Sequence, residues 1–382
     1  MRIRKLRIFS RRSARLPGSA RRFVALVAFL LATAALWRMP GARPLVDDAN
    51  RARVARVLSV DNADLDVHGL LEFGTQHLTV SVDGVVYRAE NEMRAQMELD
   101  KKFAPGDKVL VVFPPRAGKD ALLVARDHWR LGWGVVFLSA FALFLCAFGG
   151  WVGVKALFSF LFSCLVLWKL LVPLVLAGWP ASPLAFAVTA FLTAVIMYLV
   201  AGCTRKGLAA FLGAMLGVAA SLALAHVFGR LMQVNGATMP FAGQLLYSGY
   251  ANLDLRDIFI GAIVLASSGA VMDLAMDIAS GVCEVKRHNA ALGFAPLLCA
   301  GVRIGRSVTG TMTTTLLLAY SGGYLTLLMV FAAQGTHPVD FLNSTLVSAE
   351  LVKTLVGSFG LVLVAPFTAL VSAWLYGRRA AS

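Results

Sequence analysis

Charge is scarce in this chain. Only 15% of its 382 residues are Asp, Glu, Lys or Arg, while 58% are hydrophobic. The apolar residues fall in long blocks, which excludes an ordinary water-soluble globule. Acid is missing altogether from residues 1–22, which hold nine Arg and Lys. The five cysteines (Cys146, Cys164, Cys203, Cys283 and Cys299) all lie in or beside apolar segments. None falls in the polar stretch 40–128, which excludes a disulfide framework there. HExxH, GxSxG and Walker sequences are absent, and with them the commonest zinc-protease, serine-hydrolase and nucleotide-hydrolysing sites. Cys283, Glu284 and His288 have an unusual spacing for a metal site and lack further ligands, so neither metal nor cofactor is expected.

What the chain does have is hydrophobic runs near 20 residues, the length a helix needs to cross about 30 Å of hydrocarbon. They fall at 22–39, 130–149, 154–178, 183–202, 207–228, 258–280, 311–333 and 353–376. The expected class is a polytopic α-helical membrane protein of eight spans, the last seven forming a membrane domain over 130–377. Arg205 and Lys206, Lys286 and Arg287, Arg303 and Arg306, and Arg378 and Arg379 share a side with the basic leader 1–21. By the positive-inside rule that side is cytoplasmic, and so are both termini. The leader reads as a flank facing anionic lipid, with a nucleic-acid arm as the alternative; the expected partner is the bilayer, not nucleic acid. The run "RRFVALVAFLLATAALW" also resembles a signal peptide, but no small-x-small cleavage site precedes a mature start, which favours an uncleaved anchor.

Residues 45–127 are the only polar module and read as strands: "RARVARVLSV", "HLTVSV", "GVVYRAE" and "DKVLVVF". Asp83-Gly84 between alternating runs signals a type I′ hairpin, and "PGD" at 105–107 turns into the last strand. A small extracytoplasmic β-barrel or sandwich of five or six strands fits this length. It shows no catalytic constellation, and His68 and His77 read as surface residues.

"SSGAVMDLAMDIASGVCEV" (267–285) places acids at the end of an oily run. At about 100° per residue, Asp273, Asp277, Ser280 and Glu284 share one face. Ala262, Ala266, Gly269 and Ala270 continue that face outward, while Val271, Leu274, Ile278 and Val282 line another. Counted from Ile258, Asp273 lies about 22 Å and Asp277 about 28 Å along the helix. A charged Asp at the centre of a span costs about 2.5–3.5 kcal/mol, and less toward the interface. Two readings stay open: the acids line an internal polar cavity, or the helix ends early and they meet water.

Arg303 and Arg306 approach from the same side, and Arg306 is a candidate partner for Asp273. Thr311, Thr313, Thr314 and Thr315 open the next span, where hydroxyls either line a path or satisfy their own helix backbone. Lys169 in "LWKLLVP" is a second charge within a span, and snorkelling along its own stem is the simpler reading. Pro173 frees the Lys169 carbonyl and supplies a kink, and Pro366 is another candidate break. Glu350 and Lys353, one turn apart, read as a solvated interfacial pair. GxxxG spacings at Gly149/Gly153, Gly213/Gly217 and Gly301/Gly305 point to close helix packing.

"SSGAVMDLAMDIAS", "IGRSVTGTMTTTLLLAYSGG" and "GSFGLVLVAPFTAL", with "KLLVP" before them, resemble the YibE/F-like family of bacterial membrane proteins through most of 130–376. The resemblance implies a multi-span protein of the bacterial inner membrane with an extracytoplasmic module, and brings no settled activity. The positions it marks are Asp273, Gly305, Arg306, Gly310, Thr311, Thr315, Tyr320, Gly357 and Pro366. The family pattern reads Thr-Asn-Thr at Thr313-Thr314-Thr315, and Asp277 stands where a small polar residue is usual. The residues thus lead to a transporter or channel for a small ion or proton-coupled solute. Asp273, Asp277, Glu284, Arg306 and Lys169 are its pathway candidates, and Ser280, Thr311, Thr314 and Thr315 its polar lining. The alternative is a non-catalytic envelope scaffold whose outer module binds another envelope protein. No enzyme is expected.

Overall fold

The computed structural model describes residues 33–35, 37–38, 52–96, 99–114, 121–202 and 204–377. The basic leader, most of the first expected span, Cys203, Arg378 and Arg379 lie outside them. Two compact units emerge, one within Arg43–Val154 and one within Lys155–Ser382.

The first unit contains a closed five-stranded barrel in the order β1-β2-β3-β5-β4. Its strands are β1 (Ala52–His68), β2 (Leu71–Val82), β3 (Val85–Arg94), β4 (Lys108–Val112) and β5 (Leu123–His128). Alternation sorts the faces: Leu78, Val80 and Val82 of β2, Ala89 of β3, Val109 and Val111 of β4, and Leu123 of β5 fill the interior. The β2–β3 hairpin turns at Asp83 (φ 50°) and Gly84 (φ 85°), the pair of positive φ angles a type I′ turn requires. Gly74 (φ 120°) lies against the Asp64 carbonyl beside a bulge in β1, where any β-carbon would collide.

Two buried amides finish the barrel. Gln76 Nε2 donates to the carbonyl of Phe103 at 3.0 Å and to Asn62 Oδ1 at 2.9 Å, and its Oε1 accepts from Phe103 N–H at 3.0 Å. Asn91 Nδ2 donates to the Lys101 carbonyl at 2.6 Å and to Gln76 Oε1 at 3.2 Å. The connection into β4 is thereby fixed to the wall, and both buried amides find partners. The strand β5 was not legible from the sequence. It closes the barrel by pairing parallel to β3 at Ala89–Leu123 and antiparallel to β4.

The helical unit follows. Its elements are α1 (Leu131–Val166, which begins in the first unit), a π-helical turn (Leu167–Leu171), α2 (Val172–Leu176), α3 (Ala181–Ala201), α4 (Arg205–Leu231) and α5 (Ala242–Tyr247). Then come α6 (Leu255–His288), α7 (Phe294–Gly323), α8 (Leu325–Ala333), α9 (Pro338–Asn343) and α10 (Thr345–Gly377). Five described helices are long and apolar enough to cross a membrane: the α1–α2 run, α3, α4, α6 and α10. The pair α7–α8, bent by 60°, makes a sixth if it counts as one.

Several boundaries differ from the sequence reading, each for a physical reason. The runs 130–149 and 154–178 are continuous by hydrogen bonding but broken at Gly150 (φ 51°, ψ −129°). Gly153 there meets the Leu145 carbonyl, eight residues earlier, which a straight helix would carry about 12 Å away. Pro173 cannot donate to the Lys169 carbonyl, and the chain absorbs this as a π turn around half-buried Lys169, where a kink was expected. Pro366 does not break α10, which runs through it. The helix expected at 311–333 begins at Phe294 instead and bends at Tyr324, so Arg303 and Arg306 are helical residues and not loop residues. α6 does not stop at 280 but continues to His288, with Asp254 capping its start by accepting from the N–H groups of Arg256 and Asp257.

Small residues set the packing of the unit around α10, which lies against α4, α6 and α7. Gly213 and Gly217 of α4 admit Thr368 and Val364, and Gly301 and Gly305 of α7 admit Ala369 and Ala365. The last two GxxxG spacings therefore serve close approach. Between these helices Val264, Leu274, Ile278, Val282, Leu297 and Leu361 are fully buried.

Candidate functional site

α6 carries the site. Its buried side is Val271, Leu274, Ile278 and Val282, all at 0% exposure. Its opposite face is open: Ala262, Ala266, Gly269, Asp273, Asp277 and Glu284 are exposed, and Ala270 and Ser280 are half-buried. The helix is therefore sorted as its sequence periodicity dictates. A β-carbon added at Gly269 would meet nothing within 4 Å.

The lower part of the stripe opens into a cavity. A space of about 580 Å³ lies between the ends of α3, α4, α6 and α10, lined among others by Thr204, Lys206, Ser280, Glu284, Arg287 and Tyr376. Glu284 is ion-paired with Arg287 at 3.1 Å, an exposed contact one turn apart and hence weak. From this cavity the stripe climbs α6 through Asp277 to Asp273, an 11-residue stretch of about 16 Å from Glu284.

Arg306 is not the partner of Asp273. Among the described residues no ion pair joins them, and the helix faces explain why. α6 and α7 meet where Gly305 approaches Ile278, Gly301 approaches Val282, and Gly281 approaches Ile304. Arg306 stands about 200° round the helix from Ile304, and both Arg303 and Arg306 are exposed. The threonines of α7 serve their own backbone: Thr311, Thr314 and Thr315 donate to the carbonyls of Val308, Gly310 and Thr311 at 3.0, 3.1 and 2.9 Å. All three are exposed on α7, away from the cavity. Lys169 belongs to the π turn before α2 and does not line the cavity either.

Two polar groupings in the bundle go beyond the sequence reading. Glu350 and Lys353 are paired at 3.1 Å, but half-buried, with the ammonium 5.7 Å from the centre of the Tyr320 ring. Tyr320 is only 9% exposed and packs on Gly357.

The second grouping joins three helix ends. Ser182, at the start of α3, is 1% exposed. Its N–H donates to Asp257 Oδ2 at 2.9 Å and its hydroxyl donates to Asp257 Oδ1. His226 Nε2 of α4 lies 3.1 Å from the same hydroxyl. α3 follows Pro180 and has no side-chain cap of its own, so Asp257 of α6 supplies one from outside. The order is carboxylate, hydroxyl, imidazole, which is not the order of a hydrolase triad, where imidazole stands between the other two. Sequence reasoning passed over these residues because they are 44 and 75 positions apart. One signal was available: His226 is the only ionisable side chain between Lys206 and Arg230.

No curated protein and no solved structure matches the chain. A sequence model of the family described as YibE/F-like protein matches residues 137–378, from the first half of α1 to just beyond the end of α10, leaving the barrel outside it. With more than half of its length matched, this chain belongs to the YibE/F-like family.

Proposed function

We propose that this is a multi-pass inner-membrane transporter for a small cation or proton-coupled solute, and that the α6 stripe is its path. The observation that carries the reading is one continuous face: Ser280 and Glu284 line a cavity, and Asp277 and Asp273 continue it with no cation paired to Asp273 among the described residues. Fifteen uncharged residues, 258–272, separate Asp257 from Asp273 and extend only about 22 Å. A hydrocarbon core is about 30 Å thick, so a bilayer crossed by α6 holds at least one of these carboxylates inside it. Asp257 has partners in Ser182, whereas Asp273 is left for an exchangeable charge.

In this orientation the cavity, with Lys206 and Arg287, faces the cytoplasm by the positive-inside rule, and the barrel lies outside. The break at Gly150 supports two crossings in the α1–α2 run, since 46 helical residues extend about 69 Å, over twice the core thickness. No catalytic step is part of the proposal.

A second reading, a non-enzymatic envelope scaffold, is favoured by the barrel. Val67, Leu70 and Leu71 at the β1–β2 hairpin are exposed by 61%, 86% and 41%, an apolar tip of the kind that binds partner proteins. Purified protein in liposomes, screened for movement of protons, alkali cations and small solutes, separates the two. Movement of one ion above empty liposomes supports transport, and none for any of them leaves the scaffold.

A further inference from the structure

We propose that His226, Ser182 and Asp257 form a proton-loading site, and that the ion this protein moves is the proton. The inference rests on the transport reading above and narrows its substrate.

The argument begins with the hydroxyl. Ser182 Oγ is buried to 1% exposure of its residue and is bonded on both sides, to His226 Nε2 at 3.1 Å and to Asp257 Oδ1 more closely still. Contacts this short leave no space for a metal ion between the three groups, and an oxygen-seeking cation gains nothing from an imidazole N–H. A proton needs no space, because it passes along hydrogen bonds already made. His226 and Asp257 are both half-exposed, so each end of the chain can exchange with its surroundings while the middle stays dry.

The step balances. The imidazolium Nε2–H bond breaks and its proton joins Ser182 Oγ, while the Oγ–H bond breaks and that proton joins Asp257 Oδ1. The imidazole and the carboxyl end neutral, the hydroxyl is regenerated, and rotation about its C–O bond resets it. Asp257 then holds a proton at the start of the helix whose far half carries Asp273.

The charges on α3, α4, α6 and α10 do not compete for this link. α3 has no charged residue in its 21 positions. On α4 the nearest is Arg230, which is exposed. On α6, Asp254 caps its own helix, and Arg256 Nε donates to the Val234 carbonyl at 2.9 Å. At this end of α10, Glu350 and Lys353 are paired with each other.

The test uses the full chain in liposomes, with a pH-sensitive dye inside and a potassium diffusion potential as the driving force. Ser182→Ala removes the hydroxyl but keeps the N–H bond to Asp257, and Ser182→Thr keeps both. Loss of about a hundredfold in proton flux for Ser182→Ala, with most of it retained in Ser182→Thr and unchanged melting in detergent, is the expected result. If Ser182→Ala does not fold, His226→Gln carries the test with the same expected loss. Unchanged proton flux in Ser182→Ala, or in His226→Gln, overturns the relay and leaves transport standing. Movement of sodium or potassium without protons overturns the proton assignment alone. No ion movement by the wild-type chain overturns the transport reading, and this one with it.

Discussion

Gly305 of α7 lies so close to α10 that a β-carbon built on it would stand 2.9 Å from the Ala365 methyl group. Ala365 is rooted in a helix and cannot swing aside, so the contact fixes how near the two helices come. Gly305→Ala is therefore expected to destabilise the helical unit by about 1–3 kcal/mol through overpacking. Gly269→Ala, with nothing within 4 Å, is expected to be neutral or to stabilise by about 1 kcal/mol through helix propensity. Thermal unfolding of both variants in one detergent checks the pair; equal effects would contradict this packing.

The separation of Asp273 from Arg306 gives a second expectation. Asp273→Asn and Arg306→Gln should each change stability little, and the double variant should equal their sum within about 0.5 kcal/mol. A coupling of several kcal/mol in the same melting measurement would mean that the two residues do pair.

The barrel is expected to fold alone, since its core, its closing strand pairs and its buried amides all belong to residues 52–128. A fragment of that range should show a strand-type circular dichroism spectrum and one cooperative melt. Gln76→Leu in it leaves the Phe103 N–H and carbonyl without their partner and should lose about 1–3 kcal/mol. A non-cooperative wild-type fragment would show that the barrel needs the rest of the chain.

How much of this was legible in the sequence depended on the range of the cause. The Asp83-Gly84 turn and the two faces of α6 follow from local rules, a turn type and a helical period, and both are present. The start of α7 was missed because Arg303 and Arg306 break up the apolar run, although their exposed positions on the helix let it pass through them. The strand β5 and the Ser182–His226–Asp257 grouping depend on residues distant in sequence, which no window of pattern contains. Asp273 and Arg306 have complementary charges, but which helix faces meet was decided by Gly281, Gly301 and Gly305.

Topology has its own check. With the native cysteines replaced, single cysteines at the exposed positions 70 and 237 should react with an impermeant thiol reagent outside intact cells. Those at 206 and 287 should not react until the membrane is opened. The opposite pattern would reverse the orientation proposed for the cavity.

The central claim is that Asp273 exchanges charge along the α6 stripe. The most direct measurement is ion flux through reconstituted wild-type protein and its Asp273→Asn variant at matched protein density. Asparagine keeps the shape of the side chain and removes its charge. The account predicts flux in the wild type and its near-complete loss in Asp273→Asn, with melting temperature preserved and Glu284→Gln, paired and closer to the helix end, affected less. Full flux in Asp273→Asn would contradict it.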